Sequence, residues 1–281
     1  MIINTFISDN EKIPEYTLLS LQRLRDLNPD ERILFVCSII EPYTSFFARN
    51  RIEHVQQRFV DSELLAEFNE LSLLKRHGKP NTKYPSSNYF FHRAMERIYY
   101  LEAVISNNNL RDVWHFENDV LTYYPLPSED CLQVTKMGEN LSTFAAVYIP
   151  HERDLNFLCS DFNFLLSKGE AWIFDNHRID MVNEMTLLGI LNTNSFPILP
   201  TAPEPELLYD PGSYGQFLGG TNNDHGPGYA GDHHYIGKSI NKKEILPFFR
   251  EGKPFVRRLS DNIEFPLFNL HIHSKNLKDF L

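Results

Sequence analysis

The sequence predicts an α/β fold with a central sheet whose strands are mostly parallel. An apolar strand-like run, a helix-like segment and a second apolar run follow one another within residues 1–40. The second run, RILFVCSII, is continuous and rich in Ile and Val, which is typical of strands that are buried on both faces. Strand, helix and strand at this spacing predict a βαβ unit with parallel pairing.

The first half of the chain continues this alternation. After a first strand at MIINTFIS, the segment TLLSLQRLRDLNPDE has leucines at near-helical spacing and ends at Asn28–Pro29, a helix stop. IEHVQQRFV predicts a third strand. DSELLAEFNELSLLKRHG predicts a second helix, capped by Asp61 or Ser62 and ended by Gly78.

The longest predicted helix lies in NTKYPSSNYFFHRAMERIYYLEAVISNNNLRD. It starts at Ser86 or Ser87 and ends at residues 107–109, and its apolar side chains form one stripe. The stripe consists of Phe91, Ala94, Met95, Ile98, Leu101 and Ile105. The helix leads directly into RDVWHF, which predicts a further, mostly apolar strand.

The pattern after residue 126 is mixed. FAAVYI predicts a strand, and DLNFLCSDFNFLLSKG and MVNEMTLLGILNTN predict helices. Residues 201–237 are rich in Gly, Pro, Asn, Asp and His, and long irregular segments of this kind are usually functional or disordered. The Tyr, Phe and Leu side chains among them favour an ordered lid. Strands are predicted again between residue 254 and the end, and no repeat or linker divides the chain, so one domain over 1–281 is expected.

Composition and charge exclude several classes of protein. With 42% hydrophobic residues, the 281-residue chain can bury a large core. The 37 acidic and 27 basic residues give a net charge of −10, which disfavours binding to nucleic acid or anionic lipid. Three cysteines, an odd number without close pairs, indicate thiols in a reducing compartment. No run approaches the ~18 apolar residues of a membrane span and the first residues lack a signal-peptide pattern, so a cytoplasmic protein is expected.

Acidic side chains follow the strand RDVWHF at the point where it ends. Glu117, Asn118 and Asp119 come directly after it. Ligands bind at the carboxyl ends of strands in α/β sheets, and hard oxygen ligands there suit Mg²⁺ or Mn²⁺, which bridge phosphate oxygens. In an extended segment Glu117 and Asp119 point the same way, with Asn118 turned aside. The alternative is a solvated strand end that binds nothing.

A second candidate group lies near the carboxyl terminus in PLFNLHIHSKNL. In a strand, His271 and His273 share one face, which makes them a candidate pair of metal ligands. Lys275, just beyond them, can neutralise a phosphate. The alternative is a half-buried strand whose polar side chains face outward.

The segment YDPGSYGQFLGG and the nearby GDHHYIG form a third candidate. Gly215, Gly219 and Gly220 allow the backbone to approach a ligand closely, and Asp210 and Gln216 can hydrogen-bond its hydroxyl groups. The alternative is a set of ordinary turns. The two adjacent histidines of GDHHYIG are either metal ligands or polar aromatic groups on a mobile lid, and the second role is expected.

A fourth candidate is Glu184 in NEMTLLG, at the head of a predicted helix. Its carboxylate is either a group favoured by the helix dipole or an acid–base group aimed at an acceptor hydroxyl. The residues alone leave both roles open.

Taken together and in this order, these stretches resemble the GT-A glycosyltransferases, which move a sugar from a nucleotide-sugar donor to an acceptor. HFENDV resembles a variant of their acidic metal motif, and ERIYYLEAVISNNNLRDVWHFENDVLTY closely resembles glycosyltransferase-like proteins of bacteria and viruses. YGQFLGG and FNLHIHSKNL resemble further marks of that set, from about residue 85 to the end. The resemblance implies a Rossmann-like, single mixed sheet, mostly parallel and flanked by helices. It also implies a nucleotide-binding half over 1–125 and an acceptor half over 126–281, which carries the lid and the C-terminal metal and phosphate segment.

The resemblance implies roles for individual residues. Asp119 is expected to bind metal directly, and Glu117 to bind it or to hold a ribose or water. In the glycogenin-like branch a C-terminal His followed by Lys completes the metal shell and grips the diphosphate, which His271 or His273 with Lys275 matches loosely. The acidic motif of these enzymes is usually written D-x-D, and here Glu117 replaces its first Asp. The Gly that follows the His in the glycogenin-like motif is missing from this sequence. The expected donor-binding residues are Asn118, Asp210, Gln216, Gly219, Gly220 and Lys275.

The implied reaction uses Mn²⁺ or Mg²⁺ and a UDP- or GDP-linked sugar. The metal stabilises the departing diphosphate. The carbohydrate acceptor lies under residues 201–237, whose ordering excludes water. If the anomeric centre is inverted, Glu184 or Asp180 is the expected base. Arg93 and Arg97 either assist with phosphate or form surface ion pairs, and surface ion pairs are expected.

Two other functions fit the sequence less well. A metal-dependent hydrolase would use a set of histidines consisting of His115, His233, His234, His271 and His273. A carbohydrate-binding protein of the same fold would bind a sugar nucleotide without turning it over.

Overall fold

The structure, a computed structural model, describes residues 1–8, 11–71, 90–179, 181–191, 193–198, 206–221, 225–232 and 234–281. The helices of these residues are α1 Glu15–Leu27, α2 Thr44–Arg49, α3 Glu63–Leu71, α4 Phe90–Asn107, α5 Glu152–Ser167, α6 Glu170–His177, α7 Glu184–Leu191, α8 Tyr214–Phe217 and α9 Tyr235–Asn241. The strands are β1 Ile2–Phe6, β2 Ile33–Cys37, β3 Ile52–Gln56, β4 Arg111–Phe116, β5 Val120–Thr122, β6 Gln133–Gly138, β7 Leu141–His151, β8 Ser195–Phe196, β9 Ile245–Arg250, β10 Lys253–Arg258, β11 Glu264–Pro266 and β12 Asn269–His271.

The central sheet has seven strands in the order β3-β2-β1-β4-β7-β6-β8. β1 is parallel to β2 and β4, β2 to β3, and β6 to β8, whereas β7 is antiparallel to both β4 and β6. The predicted amino-terminal βαβ unit is confirmed, because α1 connects the parallel strands β1 and β2. The sheet is mixed and mostly parallel, which confirms the predicted α/β fold class.

Two apolar clusters cover the two faces of this sheet. In β2, Leu34 and Val36 belong to the cluster that includes α4 and α5, whereas Ile33, Phe35 and Cys37 belong to the cluster that includes α1. All five side chains are at most 5% exposed. Because both faces of β2 are covered by helices, its sequence is continuously apolar and lacks the alternation of a half-exposed strand.

A buried arginine fixes the carboxyl end of α1. Arg25 donates hydrogen bonds of 2.8–3.0 Å to backbone carbonyls in the turns that precede β2 and β3. The acceptors are the carbonyl oxygens of Asn28, Pro29, Glu31, Asn50 and Arg51. This guanidinium therefore serves the amino ends of the parallel strands, at the edge of the sheet opposite their carboxyl ends.

The helices before β4 largely follow the prediction. The Ser62 hydroxyl accepts a backbone N–H of α3 at 3.2 Å, so Ser62 caps that helix. The predicted end of α3 at Gly78 and the predicted start of α4 at Ser86 or Ser87 lie outside the described residues. α4 ends at Asn107, as predicted. Within the described part of the chain, no helix has the length and apolar character that crossing a lipid bilayer requires.

The carboxyl-terminal region adds two small antiparallel sheets. β9, β10 and β11 form one, and β12 pairs with β5, the strand that follows β4. Residues 206–221 of the predicted lid pack on these strands: Leu208 bridges to Leu267, and the N–H of Ser274 bonds to the Gly220 carbonyl at 3.1 Å. This part of the Gly-rich segment is thus held against the chain's last strand.

Candidate active site

The acidic stretch lies in a tight turn at the carboxyl end of β4. The N–H of Glu117 bonds to the Ala145 carbonyl on β7 at 2.8 Å, and Asn118 Nδ2 donates to the Thr5 carbonyl on β1 at 2.9 Å. β5 begins directly after the turn, with the N–H of Val120 bonded to the Glu117 carbonyl. The acids therefore lie beside the carboxyl end of β1, the edge at which α/β sheets bind ligands.

The carboxyl-terminal histidine reaches this turn through the β5–β12 pair. His271 lies opposite Val120 in the register of that pair, and the N–H of Ile272 bonds to the Asp119 carbonyl at 2.9 Å. Asp119 and Lys275 are consequently neighbours although 156 positions separate them. The antiparallel pairing of two three-residue strands thus brings together the two predicted metal segments.

Two carboxylates, an imidazole and an ammonium group converge at this point. His271 Nε2 lies 3.2 Å from Glu117 Oε2 and 3.3 Å from Asp119 Oδ2, and Lys275 Nζ also bonds to Asp119 Oδ2. Glu117, Asp119 and His271 each offer a ligand atom within 4.8 Å of the other two. Their side chains are 15%, 5% and 10% exposed, against 46% for Lys275. The group is therefore buried on its acidic side and open to solvent on its lysine side.

The charges of this group stabilise one another. Burial alone would raise the pKa of both carboxyls, but His271 and Lys275 hold the pKa of Asp119 well below its usual range, and Arg97 and His271 do the same for Glu117. Burial alone would lower the pKa of His271, but the two carboxylates raise it to about 10. The pKa of Lys275 is raised by Asp119 against the effect of burial. Near neutral pH the group therefore consists of two anions and two cations.

Arg97 on α4 connects this group to Glu184 at the start of α7. Its Nη2 donates to Glu117 Oε1 at 2.5 Å and to the two oxygens of Glu184 at 2.7 and 2.8 Å. Glu184 also accepts the N–H of Phe144 on β7. Burial raises the pKa of Glu184 to about 7, with Arg97 opposing the rise and Glu117 adding to it. The prediction that Arg97 forms a surface ion pair is wrong, since its side chain is 16% exposed and its partners belong to the site.

The donor set fits a divalent cation of the Mn²⁺ or Mg²⁺ type. Carboxylate oxygens suit both ions, whereas an imidazole nitrogen is more typical of transition-metal ions than of Mg²⁺. Arg97 takes one oxygen of Glu117, which leaves Oε2 facing His271 Nε2 and Asp119. Three protein groups are fewer than such an ion coordinates, so positions remain for phosphate oxygens or water.

His273 lies outside this group. β12 ends at His271, so the strand alternation that places both histidines on one face does not continue. The Gln216 side-chain amide lies 2.5 Å from His273 Nδ1, and the two imidazole rings meet edge to face with centroids 4.3 Å apart. Burial and the His271 charge lower the pKa of His273 to about 3. Of the two predicted histidine ligands, the structure brings His271 to the acids.

The predicted ligand-binding residues of YDPGSYGQFLGG make close contacts within the protein. Asp210 is fully buried, and its two oxygens accept five backbone N–H groups. The expectation that Asp210 binds a ligand hydroxyl is corrected accordingly. Gly219, two residues after the end of α8, has a φ of 109°, and a Cβ at Gly220 would lie 2.8 Å from the Gly215 carbonyl oxygen. Gln216, as described above, approaches His273.

The remaining predicted residues differ in their placement. Asn118 is fixed to β1 through Nδ2, and its Oδ1 has no hydrogen-bond partner within the part of the chain that the structure describes. Asp180, the second predicted base, and His233 lie outside the described residues. Arg93 forms an ion pair with Glu96 on its own helix.

Sequence reasoning missed Tyr16 and a polar group at the carboxyl ends of β1 and β2. The Lys275 ammonium lies 5.6 Å from the centroid of the Tyr16 ring on α1. Ser8 Oγ and Ser38 Oγ are 2.8 Å apart, and the Ser8 N–H donates to Gln57 Oε1 at 3.2 Å. A serine shortly after each of two parallel strands is a signal that the sequence contains, because such strands end at the same edge of a sheet.

Two further histidines of the hydrolase hypothesis, His115 and His234, have other partners. His115, buried in β4, bonds to the Ile3 carbonyl through Nδ1 at 2.9 Å, and burial lowers its pKa to about 4. His234 shares a hydrogen bond with Ser213 at 3.1 Å and is 8% exposed, so its expected role as a polar group on a mobile surface is wrong. In the described part of the chain, the potential metal-binding group contains one imidazole, that of His271.

Comparisons with known proteins return similarities of structure. No protein-family model and no curated protein matches the sequence. Among solved structures, the PaToxG glycosyltransferase matches 62% of this chain and 63% of its own at 10% identity and a TM-score of 0.40. Mouse xyloside xylosyltransferase 1 matches over 68% and 80% at 8% identity and a TM-score of 0.41. A protein described as a transferase matches over 67% and 82% at 9% identity and a TM-score of 0.38.

Proposed function

We propose that the chain is a glycosyltransferase that moves a sugar from a UDP- or GDP-linked donor to a carbohydrate or glycoconjugate acceptor, assisted by Mn²⁺ or Mg²⁺. The observation that carries the proposal is the convergence of Glu117, Asp119, His271 and Lys275 at the carboxyl edge of a mostly parallel sheet. Two acids and an imidazole suit a cation, and the half-exposed lysine adds positive charge toward solvent. In a protein of net charge −10, such a local arrangement is what a diphosphate ligand needs.

Each residue of the group has a distinct task in this proposal. The cation, when bound, neutralises charge on the diphosphate that leaves the donor. Lys275 donates to a diphosphate oxygen from the side that is open to solvent. Glu117 is held in place by Arg97, and Asp119 by the turn between β4 and β5. The protein thereby keeps its anionic and cationic groups in fixed positions before the donor arrives, which lowers the cost of binding it.

The nucleotide is proposed to lie along the carboxyl ends of β1, β2 and β3. Ser8, Ser38 and Gln57 form a hydrogen-bonded polar group there, and the Asn118–Thr5 bond places the acidic turn at the end of β1. An open depression of about 460 Å³ adjoins β2 and β3 and is lined by Ile40, Glu41, His54, Val55, Gln56 and Phe59. A polar edge that leads into an acidic turn suits a ligand with a base at one end and phosphates at the other.

Glu184 or Asp180 is proposed as the base if the reaction inverts the anomeric centre. A pKa of about 7 suits a general base near neutral pH. Both oxygens of Glu184 face Arg97, so proton transfer through Glu184 requires that this ion pair be loosened when the acceptor binds. The acceptor is proposed to lie under residues 201–237, of which residues 206–221 pack on the strand that carries His271.

A cytoplasmic location is part of the proposal. Cys37, Cys131 and Cys159 are free thiols, as is typical of proteins in a reducing compartment. The acidic charge of the chain disfavours a nucleic-acid partner.

Ligand-induced thermal stabilisation tests the proposed function. The protein is heated with UDP-, GDP-, CMP- and dTDP-linked sugars, once with Mn²⁺ and once with EDTA. One of these donors is expected to raise the Tm in the presence of Mn²⁺ by mass action. Asp119→Asn removes a charge from the ligand group and is expected to abolish the metal-dependent part of that rise.

Asp261→Asn is the matched control. Asp261 forms a partly exposed ion pair with Arg258 between β10 and β11, away from the acidic turn, so its amide variant should keep the wild-type response. A metal-dependent rise of equal size in wild type and in the Asp119 variant would show that the site is misplaced. Release of nucleoside diphosphate in the presence of acceptor candidates separates an enzyme from a carbohydrate-binding protein, which would be stabilised by the donor without releasing product.

A further inference from the structure

We infer that Asp210 is a positioning residue for His271, and that the YDPGSYG turn holds this histidine at its place beside the two acids. The inference uses the cation site of the proposed function but not its donor or acceptor. Its basis is the hydrogen bonding of one buried carboxylate. Oδ1 accepts the N–H groups of Gly212, Ser213 and Tyr214 at 2.8–2.9 Å, and Oδ2 accepts those of Gly215 at 2.8 Å and His271 at 2.9 Å.

The Asp210 carboxylate therefore joins two parts of the chain that are distant in sequence. Four of its partners belong to the turn that follows it, and the fifth is the backbone of the candidate metal ligand, 61 positions away. Charge-assisted bonds from backbone N–H groups are the means by which a protein can keep a carboxylate fully buried and ionised. If the carboxylate only capped its own turn, it would not also accept an N–H group from β12.

Two glycines bring the turn into close contact with the histidine strand. A Cβ at Gly215 would lie 2.3 Å from the His271 carbonyl oxygen, a distance that no side chain can accept. Gly212 has a φ of 102°, and a Cβ there would lie 3.1 Å from the His273 ring and 3.3 Å from His271 Nδ1. The glycines of YDPGSYG thus allow backbone to approach backbone and imidazole, whereas the sequence alone suggests an approach to a ligand.

The consequence is that the backbone of His271 has little freedom. Its N–H is bonded to Asp210, its carbonyl lies against Gly215, and the next N–H along the chain bonds to the Asp119 carbonyl. Among the described residues, His271 Nδ1 has no hydrogen-bond partner, so none of them orients the ring through that nitrogen. The position of Nε2 between Glu117 and Asp119 therefore depends on the backbone contacts, and a ligand has to be placed to within about 0.5 Å for tight metal binding.

Mn²⁺ affinity, measured by titration calorimetry and by electron paramagnetic resonance of free Mn²⁺, tests the inference without any nucleotide. In Asp210→Asn the amide turns two N–H groups toward backbone N–H donors, which should displace the turn and His271. We expect an affinity loss of about 10-fold or more, as for other residues that orient metal ligands. Gly212→Ala is a milder second variant, because its methyl group would press on both imidazoles, and about a 3-fold loss is expected; it decides the question if D210N does not fold.

Arg25→Met is the matched control for a general loss of stability. Arg25 is also a buried charged residue with five backbone partners, but it lies at the opposite edge of the sheet. R25M should be destabilised and yet bind Mn²⁺ within about 2-fold of wild type.

A double-mutant cycle with His271→Gln separates positioning from other effects. If Asp210 acts through His271, D210N should weaken Mn²⁺ binding in wild type but change it less than about 2-fold in the H271Q background. Equal losses in both backgrounds, wild-type affinity in D210N and G212A, or no Mn²⁺ binding by wild type would each overturn the inference. If these Mn²⁺ results hold but no nucleotide-sugar binds, the proposed function fails and the positioning role stands.

Discussion

The surroundings of Glu184 determine the sign of one pH effect on stability. Its carboxylate lies against the Arg97 guanidinium of α4 and the Phe144 N–H of β7. Burial is the largest influence on its pKa, which rises from 4.5 to about 7; Arg97 opposes this rise and Glu117 adds to it. Over this range the folded protein keeps a proton on Glu184 that the unfolded chain has already lost.

The sign of the effect follows from proton binding. Because the folded state binds more protons than the unfolded state between pH 4.5 and 7, the free energy of unfolding falls as the pH rises through that interval. The stabilising contribution is fully present below pH 4.5 and is lost above about pH 7. With these two pKa values, the loss between pH 5 and pH 8 is about 2–3 kcal/mol. Glu184→Gln has no titrating group at this position, so from pH 5 to pH 8 the unfolding free energy of wild type should fall by this amount more than that of E184Q.

Urea denaturation in EDTA at pH 5, 6.5 and 8 measures the effect. The observable is the difference in unfolding free energy between wild type and E184Q at each pH. R25M is the control, because its missing guanidinium does not titrate in this range and its difference from wild type should stay constant. A wild-type minus E184Q difference that changes by less than about 0.5 kcal/mol from pH 5 to pH 8 would refute the reasoning. Glu184 would then ionise normally in the folded protein, and the argument for it as a base near neutral pH would be lost.

Three further perturbations have expected outcomes. Arg97→Met should lower the unfolding free energy, measured by urea denaturation at pH 8, by about 3–5 kcal/mol, because it leaves two buried carboxylates without their cation. The control Arg32→Met breaks a half-exposed ion pair and should lower it by less than about 1 kcal/mol. Equal losses in the two variants would contradict the buried network. Gly189→Ala should lower the unfolding free energy by about 1–3 kcal/mol, because its Cβ would lie 2.1 Å from a backbone oxygen of the β6–β7 turn; a variant with wild-type stability would contradict that contact. At pH 8 a thiol reagent should label Cys131 first, since Cys37 and Cys159 are buried, and burial raises the pKa of Cys37 to about 12 and that of Cys159 well above its ordinary value. Mass spectrometry identifies the labelled peptide, and early labelling of either buried thiol would contradict the packing.

The parallel strands were predictable because burial on both faces leaves a direct trace in the sequence. β2 has no polar position, since helices cover both of its faces. The acidic turn was predictable for a related reason: two acids directly after a buried strand have to lie at a sheet edge. Both inferences depend on residues that are close together in the chain, and there sequence patterns are most informative.

Contacts between segments that are distant in the chain were harder to predict from the sequence. Whether His271 or His273 meets the acids depends on where β12 ends, and that is set by its pairing with β5. Arg97 lies at helical spacing between Ala94 and Leu101, in line with the predicted apolar stripe. A charged residue within such a stripe indicates a buried partner, but the sequence does not say that the partners are Glu117 and Glu184.

The role of Asp210 shows how a turn motif can be misread as a ligand site. Aspartate before Pro, Gly and Ser is a residue type that bonds to backbone N–H groups just ahead of it, and the structure shows that pattern with one addition, the His271 N–H. The four local bonds follow from the sequence. The fifth bond, which connects the turn to the site, follows from the packing of residues 206–221 on β12.

Buried charge by itself does not mark the functional part of this molecule. Arg25 is 7% exposed and bonded to five backbone carbonyls, yet its contacts only connect turns. What distinguishes the acidic turn is that charges of both signs meet on side chains and that one of them, Lys275, stays half exposed. Replacing a buried ion pair by apolar residues is often neutral or stabilising. Stability alone therefore does not explain a network in which Arg97 holds Glu117, Asp210 holds the backbone of His271, and Lys275 remains open to solvent. The need to position the ligands of the proposed cation site explains it better.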